Sequence, residues 1–359
     1  MVQNMMMFIA RDMREIIAGL GYTSVDELLG RTDLLEQVWG THLGLNLDEI
    51  LGKNAEPLPQ QKCELKNGKR NERIDPQRPD HITLDDDLWK HESKAIMKAV
   101  KTGGKFKWDI NGINNEDRTF GARLSYNIRK AIINDEELGC MHKLKEGTIK
   151  LYTKGIAGQS FGAFGLEGIT MRTNGAQDGA GKSLSGAKLV FTPRAKDKKI
   201  RCSPEFNTIV GNAALYGATK GQFYAAGRAG NRFAVRMSGG EAVIDGAGSH
   251  ACNYMTGGSV AILGKVGKNF GSGMSGGQVF VYDEDSSLER NTFEETKGKI
   301  SHLKTHADEK KLHSMLSKHF NETGDQHAKR LLNDWDNAVK KFKVVNGAAS
   351  VSKPEMKMV

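Results

Sequence analysis

Gly240-Glu-Ala-Val-Ile-Asp-Gly246, Gly258-Ser-Val-Ala-Ile-Leu-Gly264 and Gly277-Gln-Val-Phe-Val-Tyr-Asp283 share one pattern. A glycine comes first, a polar residue second, and a short apolar run follows. The pattern recurs upstream at Gly147-Thr-Ile-Lys-Leu-Tyr-Thr153, Gly168-Ile-Thr-Met-Arg-Thr-Asn174, Gly186-Ala-Lys-Leu-Val-Phe-Thr192 and Gly221-Gln-Phe-Tyr-Ala-Ala-Gly227. The anchor glycines Gly147, Gly168, Gly186, Gly221, Gly240, Gly258 and Gly277 stand 21, 18, 35, 19, 18 and 19 residues apart. The double-length interval holds the basic, proline-bearing stretch Arg194 to Pro204, which reads as an inserted loop. Alternation after each anchor predicts a strand. A leading glycine supplies positive φ or room for a neighbouring backbone. A unit near 19 residues with one short strand cannot bury an apolar face alone, so the units must stack. The fold predicted is mainly β: a parallel β-helix with flanking N-terminal and C-terminal α-helices. A β-propeller needs repeats of about 40–45 residues and is excluded.

Composition agrees. The chain has 359 residues and 42 glycines, and 27 of those glycines fall between Gly147 and Gly277. Seven prolines and no Gly-X-Y period exclude collagen. No run of 18 apolar residues is present, so no membrane span is expected. The formal charge is +9, carried in short runs at Lys62–Arg73, Arg194–Arg201 and Lys340–Lys343. These read as solvated loops and a helix end without interleaved aromatic residues, so nucleic-acid binding is not expected. Cys63, Cys140, Cys202 and Cys252 are widely spaced and make neither a disulfide framework nor a C-x-x-C metal site. The first residues carry no secretory signal, and Asp12 and Glu15 argue against a transit peptide. The expected location is the cytoplasm, or an organelle matrix such as the mitochondrion.

The flanks read differently from the middle. Residues 1–51 form an N-terminal helical segment, with a stripe from Met5 to Leu20 ended by Gly21 and a short helix N-capped by Ser24 and closed by Gly30. Residues 52–146 are a linker and lead-in α/β segment, with prolines at 57, 59, 76 and 79 and a helix over 85–101. There Asp85, Asp86 and Asp87 read as charge at a helix N-terminus. Residues 147–285 are the glycine-repeat β-helix. Residues 286–359 are a C-terminal helical hairpin and tail. One of its helices carries Leu312, Met315, Leu316 and Phe320; the other runs from Leu331 to Phe342 with Thr323 and Gln326 as a capping box.

Little in the chain signals chemistry. Gly179-Ala-Gly-Lys-Ser183 resembles the end of a phosphate-binding loop, but the required earlier glycine is Ala176 and a strand follows instead of a helix. Cys140 with His142, and His250 with Cys252, could begin a metal site; buried thiols beside incidental histidines is the simpler reading. His302 with His306, and His313 with Ser317, read as solvated helix residues. No catalytic, cofactor-binding or metal-ligating residue is assigned.

Longer motifs carry a resemblance. They include Ala157-Gly-Gln-Ser-Phe-Gly-Ala-Phe164, Val210-Gly-Asn212, Leu215-Tyr-Gly-Ala-Thr219, Phe233-Ala-Val-Arg236, Tyr254-Met-Thr-Gly-Gly258 and Gly273-Met-Ser-Gly-Gly277. They resemble the glycine-repeat (GXGXG) domain of the glutamate synthase large subunit. Ala10-Arg-Asp-Met-Arg-Glu-Ile-Ile17 is similar to the segment joining the FMN barrel to that domain, and Arg330-Leu-Leu332 resembles its terminal helices. The resemblance implies a right-handed parallel β-helix of about seven turns, and a structural, non-catalytic subunit for glutamine-dependent glutamate synthesis. Its partners would be glutaminase-domain and FMN-synthase-domain chains. FMN and an iron–sulfur cluster would belong to those partner chains, with no cofactor in this one. The alternative is a repurposed β-helix scaffold, an accessory subunit of another large multisubunit complex, such as an organellar one.

Overall fold

The computed structural model describes residues 2–29, 31–36, 51, 83–135, 138, 144–193 and 207–347. The basic runs at 62–73 and 194–201, Cys63, Cys140, Cys202, His142 and Gly30 lie outside them. The chain divides into two units, Met1–His81 and Ile82–Val359.

The first unit holds α1 (Val2–Gly19), followed by Gly21 at φ +84°. Met5, Phe8, Ile9, Met13 and Ile16 on this helix are exposed. Ser24 caps no helix backbone here. Val25–Glu27 is a single 3-10 turn, and the Ser24 hydroxyl goes to the Glu27 carboxylate instead.

The second unit is a solenoid. Its parallel strands are β1 (Phe106–Ile113), β2 (Ile149–Gly155), β3 (Ile169–Asn174), β4 (Ser185–Thr192), β6 (Lys220–Ala229), β7 (Ser238–Ala247), β8 (Thr256–Ile262) and β9 (Gly276–Tyr282). A short β5 (Thr208–Val210) pairs beside the end of β6. The solenoid makes about six turns where the resemblance implies about seven. The seven anchored strands, β2 to β9 without β5, enclose six intervals, and β1 extends the parallel stack without an anchor glycine of the repeat.

Register explains the burial. Leu151, Met171, Leu189, Phe223, Ala242, Val260 and Val279 stand in one cross-strand column and fill the interior. One residue on, Val190, Tyr224, Val243, Ala261 and Phe280 point to the other face and enter a second core. Period-two alternation therefore fills two cores, one inside the coil and one outside it. Phe120, Phe161, Phe191, Phe223 and Phe233 stack along the interior, with adjacent ring centroids 4.9–6.0 Å apart.

After β9 come two single-turn helices, α4 (Leu288–Asn291) and α5 (Glu294–Lys297), and β10 (Ile300–His302). The outer core is closed by α6 (His306–Thr323), α7 (Gln326–Asn333) and α8 (Trp335–Lys341). The expected capping box is replaced by Asp325, whose carboxylate accepts the His327 and Ala328 N–H groups. The second hairpin helix is not continuous. It breaks at Asp334, and Phe342 begins a strand, β11 (Phe342–Asn346), rather than ending a helix. That strand pairs antiparallel with β9 and with β10, covering the edge that the next coil would otherwise need.

At the other end, α2 (Leu84–Thr102) and α3 (Ala122–Ile133) pack beside β1. Thr83, not an aspartate, caps α2. Asp85 reaches across to α3 instead and accepts the N–H groups of Gly121, Arg123 and Leu124 at 2.8, 2.9 and 3.2 Å. Burial pushes its carboxyl up to about 6. The Asp85→Ala change strands three amides at the N-terminus of α3. It is expected to cost about 2–4 kcal/mol, measured as a lowered chemical-denaturation midpoint.

Candidate functional site

One corner of the coil recurs in every turn. Left-handed (αL) backbone falls at alternating residues: Ser160, Gly162, Phe164; Gly179, Gly181, Ser183; Ala213, Leu215, Gly217; Arg232, Ala234, Arg236; His250, Cys252, Tyr254; and Asn269, Gly271, Gly273. Their φ values run from +52° to +69°, and only a third of the positions are glycine. Hydrogen bonding explains the alternation. The first and third residues of a corner donate N–H forward, Arg232 to Ser249 O at 2.8 Å and Arg236 to Asn253 O at 2.9 Å. The middle residue donates backward, Ala234 to Ala214 O at 2.9 Å. The next corner repeats this through His250, Tyr254 and Cys252. Switching hand at every second residue thus bonds one corner to both neighbours. Side chains reinforce the stack: Asn212 Oδ1 accepts the Asn231 N–H, and Asn231 Oδ1 accepts the Ser249 N–H.

The middle positions Leu215, Ala234 and Cys252 are buried, whereas Phe164, Arg232, Arg236 and Tyr254 are exposed. An αL residue with a side chain costs roughly 1–2 kcal/mol more than glycine. Core burial offsets that cost at Leu215, and nothing in the core offsets it at Arg232 or Tyr254. Arg236 lies over the Tyr254 ring at 6.0 Å, and Tyr254 lies over Gly273. No Asp or Glu occurs in segments 160–164, 179–183, 213–217, 232–236, 250–254 or 269–273. Among the described residues, no carboxylate pairs with Lys182, Arg232, Arg236 or Lys268. Asp178, just before the second corner, spends its oxygens on the Asn212 N–H and the Gln159 amide.

Comparison with known sequences matches this chain to the GXGXG motif family over residues 86–348. The chain belongs to the GXGXG family. The ferredoxin-dependent glutamate synthase 2 of Synechocystis is 38% identical over 346 residues, covering 95% of this chain and 21% of that protein. The glutamate synthase [NADPH] large chain of Azospirillum brasilense is 40% identical over 352 residues, with the same coverage of both. A chloroplastic/mitochondrial ferredoxin-dependent glutamate synthase of Arabidopsis thaliana is 36% identical over 339 residues, covering 93% and 19%. The chain spans about a fifth of the length of these relatives.

In GXGXG terms, the motif here is written in conformation more than in letters. Six of the seven anchor glycines, from Gly168 onward, sit three or four residues beyond a corner, and all seven have positive φ. Three further glycines, Gly239, Gly257 and Gly276, precede anchors at ordinary φ, and repeat phasing does not single them out. A Cβ on them would collide with the carbonyl oxygens of Thr219, Ser238 and Thr256 in the preceding coil. The signal available for them is the Gly-Gly pair itself, repeated at coil spacing.

Gly179 to Ser183 forms one of the corners. Its Gly181 and Ser183 N–H groups bond Phe161 O and Tyr216 O, so they are not free to cradle phosphate. His250 and Cys252 are corner residues too, and burial pushes the Cys252 thiol up to about 12. His302 lies in β10 beside Lys343, whereas His313 packs its ring against Trp335 at 4.9 Å. Among the described residues no three His, Cys, Asp or Glu side chains gather to hold a metal ion, and no helix is long and apolar enough to cross a membrane.

The outer face of the sheet is covered from β3 to β9. Along α6, Asp308 and Lys311 bond Gln278 on β9, Lys318 bonds Glu241 on β7, and Glu322 bonds Lys188 on β4 and Arg172 on β3. From 308 to 322 a helix rises about 21 Å, which matches four to five strand spacings. The seam ends at Asp245 on β7, whose Oδ1 lies 3.0 Å from His327 Nδ1 on α7. Beside it lies a cleft of about 770 Å³ in which Lys265 pairs with Asp285 and Lys341 with Glu284.

Proposed function

We propose that this chain is the structural spine of a glutamine-dependent glutamate synthase and takes no direct part in its chemistry. The observation that supports this most is the extent of the match: 95% of this chain aligns with about a fifth of glutamate synthase large chains. The solenoid suits the role physically. Every coil bonds to both neighbours, so the six turns form one stiff body with long flat sides. Glutaminase-domain and FMN-synthase-domain chains dock on it in this reading. FMN and the iron–sulfur cluster reside in those chains and carry the reducing equivalents. This chain fixes the distance and orientation between the two catalytic sites.

Reconstitution tests the reading. The glutaminase and FMN-synthase chains are combined with and without this chain, and glutamate formed from glutamine and 2-oxoglutarate is measured. The expected result is that coupled synthesis falls at least tenfold without the chain while free glutaminase activity survives. Full coupled synthesis without it overturns the proposal and favours the alternative, an accessory subunit of another complex.

A further inference from the structure

From β3 to β9 the outer sheet face is covered by α6, whereas the αL corner keeps bulky side chains exposed along its length among the described residues. Phe164, Tyr216 and Tyr254 are 61%, 42% and 56% exposed. Arg232, Arg236 and Lys268 are exposed beside them. At one coil per strand spacing, Phe164 and Tyr254 are four steps, or about 19 Å, apart. The stripe thus interleaves aromatic and cationic side chains across neighbouring coils, with Arg236 against Tyr254.

Two independent observations give this stripe a role. The first is conformational. Phe164, Arg232, Arg236 and Tyr254 occupy αL positions that glycine fills at lower cost elsewhere in the same corner, and their side chains return nothing to the core. The second is electrostatic. The corner holds cations that no described carboxylate pairs with, in segments free of Asp and Glu, although elsewhere lysines are paired repeatedly. Arginine and tyrosine are the side chains that anchor protein–protein interfaces.

We propose that the αL corner is a docking surface for a partner protein that presents carboxylates beside an apolar pocket. The carboxylates meet Arg232, Arg236 and Lys268, and the pocket receives Tyr254 or Phe164. This requires no particular enzyme: the chemistry of the partner surface and the identity of the partner are read separately, so it stands or falls apart from the synthase reading.

The test places the photo-crosslinking residue p-benzoylphenylalanine at Tyr254 in the full chain, in cells of its native source. A second chain carries it at Ser314, an exposed position on α6. The expected result is a protein adduct from position 254, absent from 314, whose cross-linked peptide is rich in Asp and Glu. The variant R232E/R236E lowers its yield at least tenfold, and lysine in place of the partner's carboxylates restores it. R232G/R236G removes the charge while easing the αL backbone. It is expected to melt no lower than the parent chain and to lose the adduct as well, which separates docking from misfolding. An adduct with nucleic acid, an adduct unchanged in both double variants, or none above the 314 control overturns the proposal.

Discussion

Replacing Gly240 with valine is expected to lower stability by about 3–5 kcal/mol, enough to unfold much of a marginally stable chain. Two costs combine at this residue. Its φ is +98°, which a β-branched side chain does not tolerate. Its Cβ would also lie 2.9 Å from the carbonyl oxygen of Gly221 in the preceding coil. That oxygen is backbone and cannot swing aside, so the coils must part locally. In a solenoid each coil is stabilised chiefly by its neighbours, and one parted interface weakens both sides. Gly298 provides the comparison: its φ is negative and nothing lies within 4 Å of its Cβ position, so Gly298→Ala is expected to be near neutral. Denaturation midpoints measured for both variants decide the matter. A Gly240→Val midpoint equal to that of the parent chain would mean that the coil phasing is misplaced.

The strands were legible because their residues obey a local rule. Leu189 and Val190, or Val260 and Ala261, alternate between two faces, and a sheet buried on both sides still leaves an apolar signature. The anchors were legible because glycine before such a run has few other uses. The αL corner was not. Arg232, Cys252 and Leu215 carry no intrinsic preference for positive φ, and the stacked coils hold them there through forward and backward hydrogen bonds. That information lies in the neighbouring coils, 17 residues away for Arg232, 19 for Cys252 and 35 for Leu215. Asp85 does stand in the first turn of its own helix, but its hydrogen-bond partners, 36 to 39 residues downstream, were hidden for a similar reason. The break at Asp334 and the strand from Phe342 follow from β9 needing an edge partner, and helical periodicity cannot register that need.

The seam between solenoid and helices gives the other large effect. His327→Ala is expected to cost about 3–5 kcal/mol, because it leaves the Asp245 carboxylate buried without its imidazole. The Asp245 side chain has no exposed surface, and its Oδ2 already lacks a partner. Burial raises the Asp245 pKa above the ordinary aspartate value. A carboxyl whose native pKa lies above its unfolded value stabilises the fold most when protonated, and that contribution is lost as pH rises through the native pKa. Without His327 the native pKa climbs further, so the deficit of the variant should shrink from pH 8 toward pH 5. Asp245→Asn in the same background removes the charge altogether. The double variant is expected to recover at least half of the loss at pH 8 and to show little of the single variant's pH dependence. If the single variant loses the same stability at both pH values and the asparagine recovers nothing, His327 acts on the seam by packing alone. The double-variant cycle distinguishes the two because the residues are in contact and their coupling is measured directly.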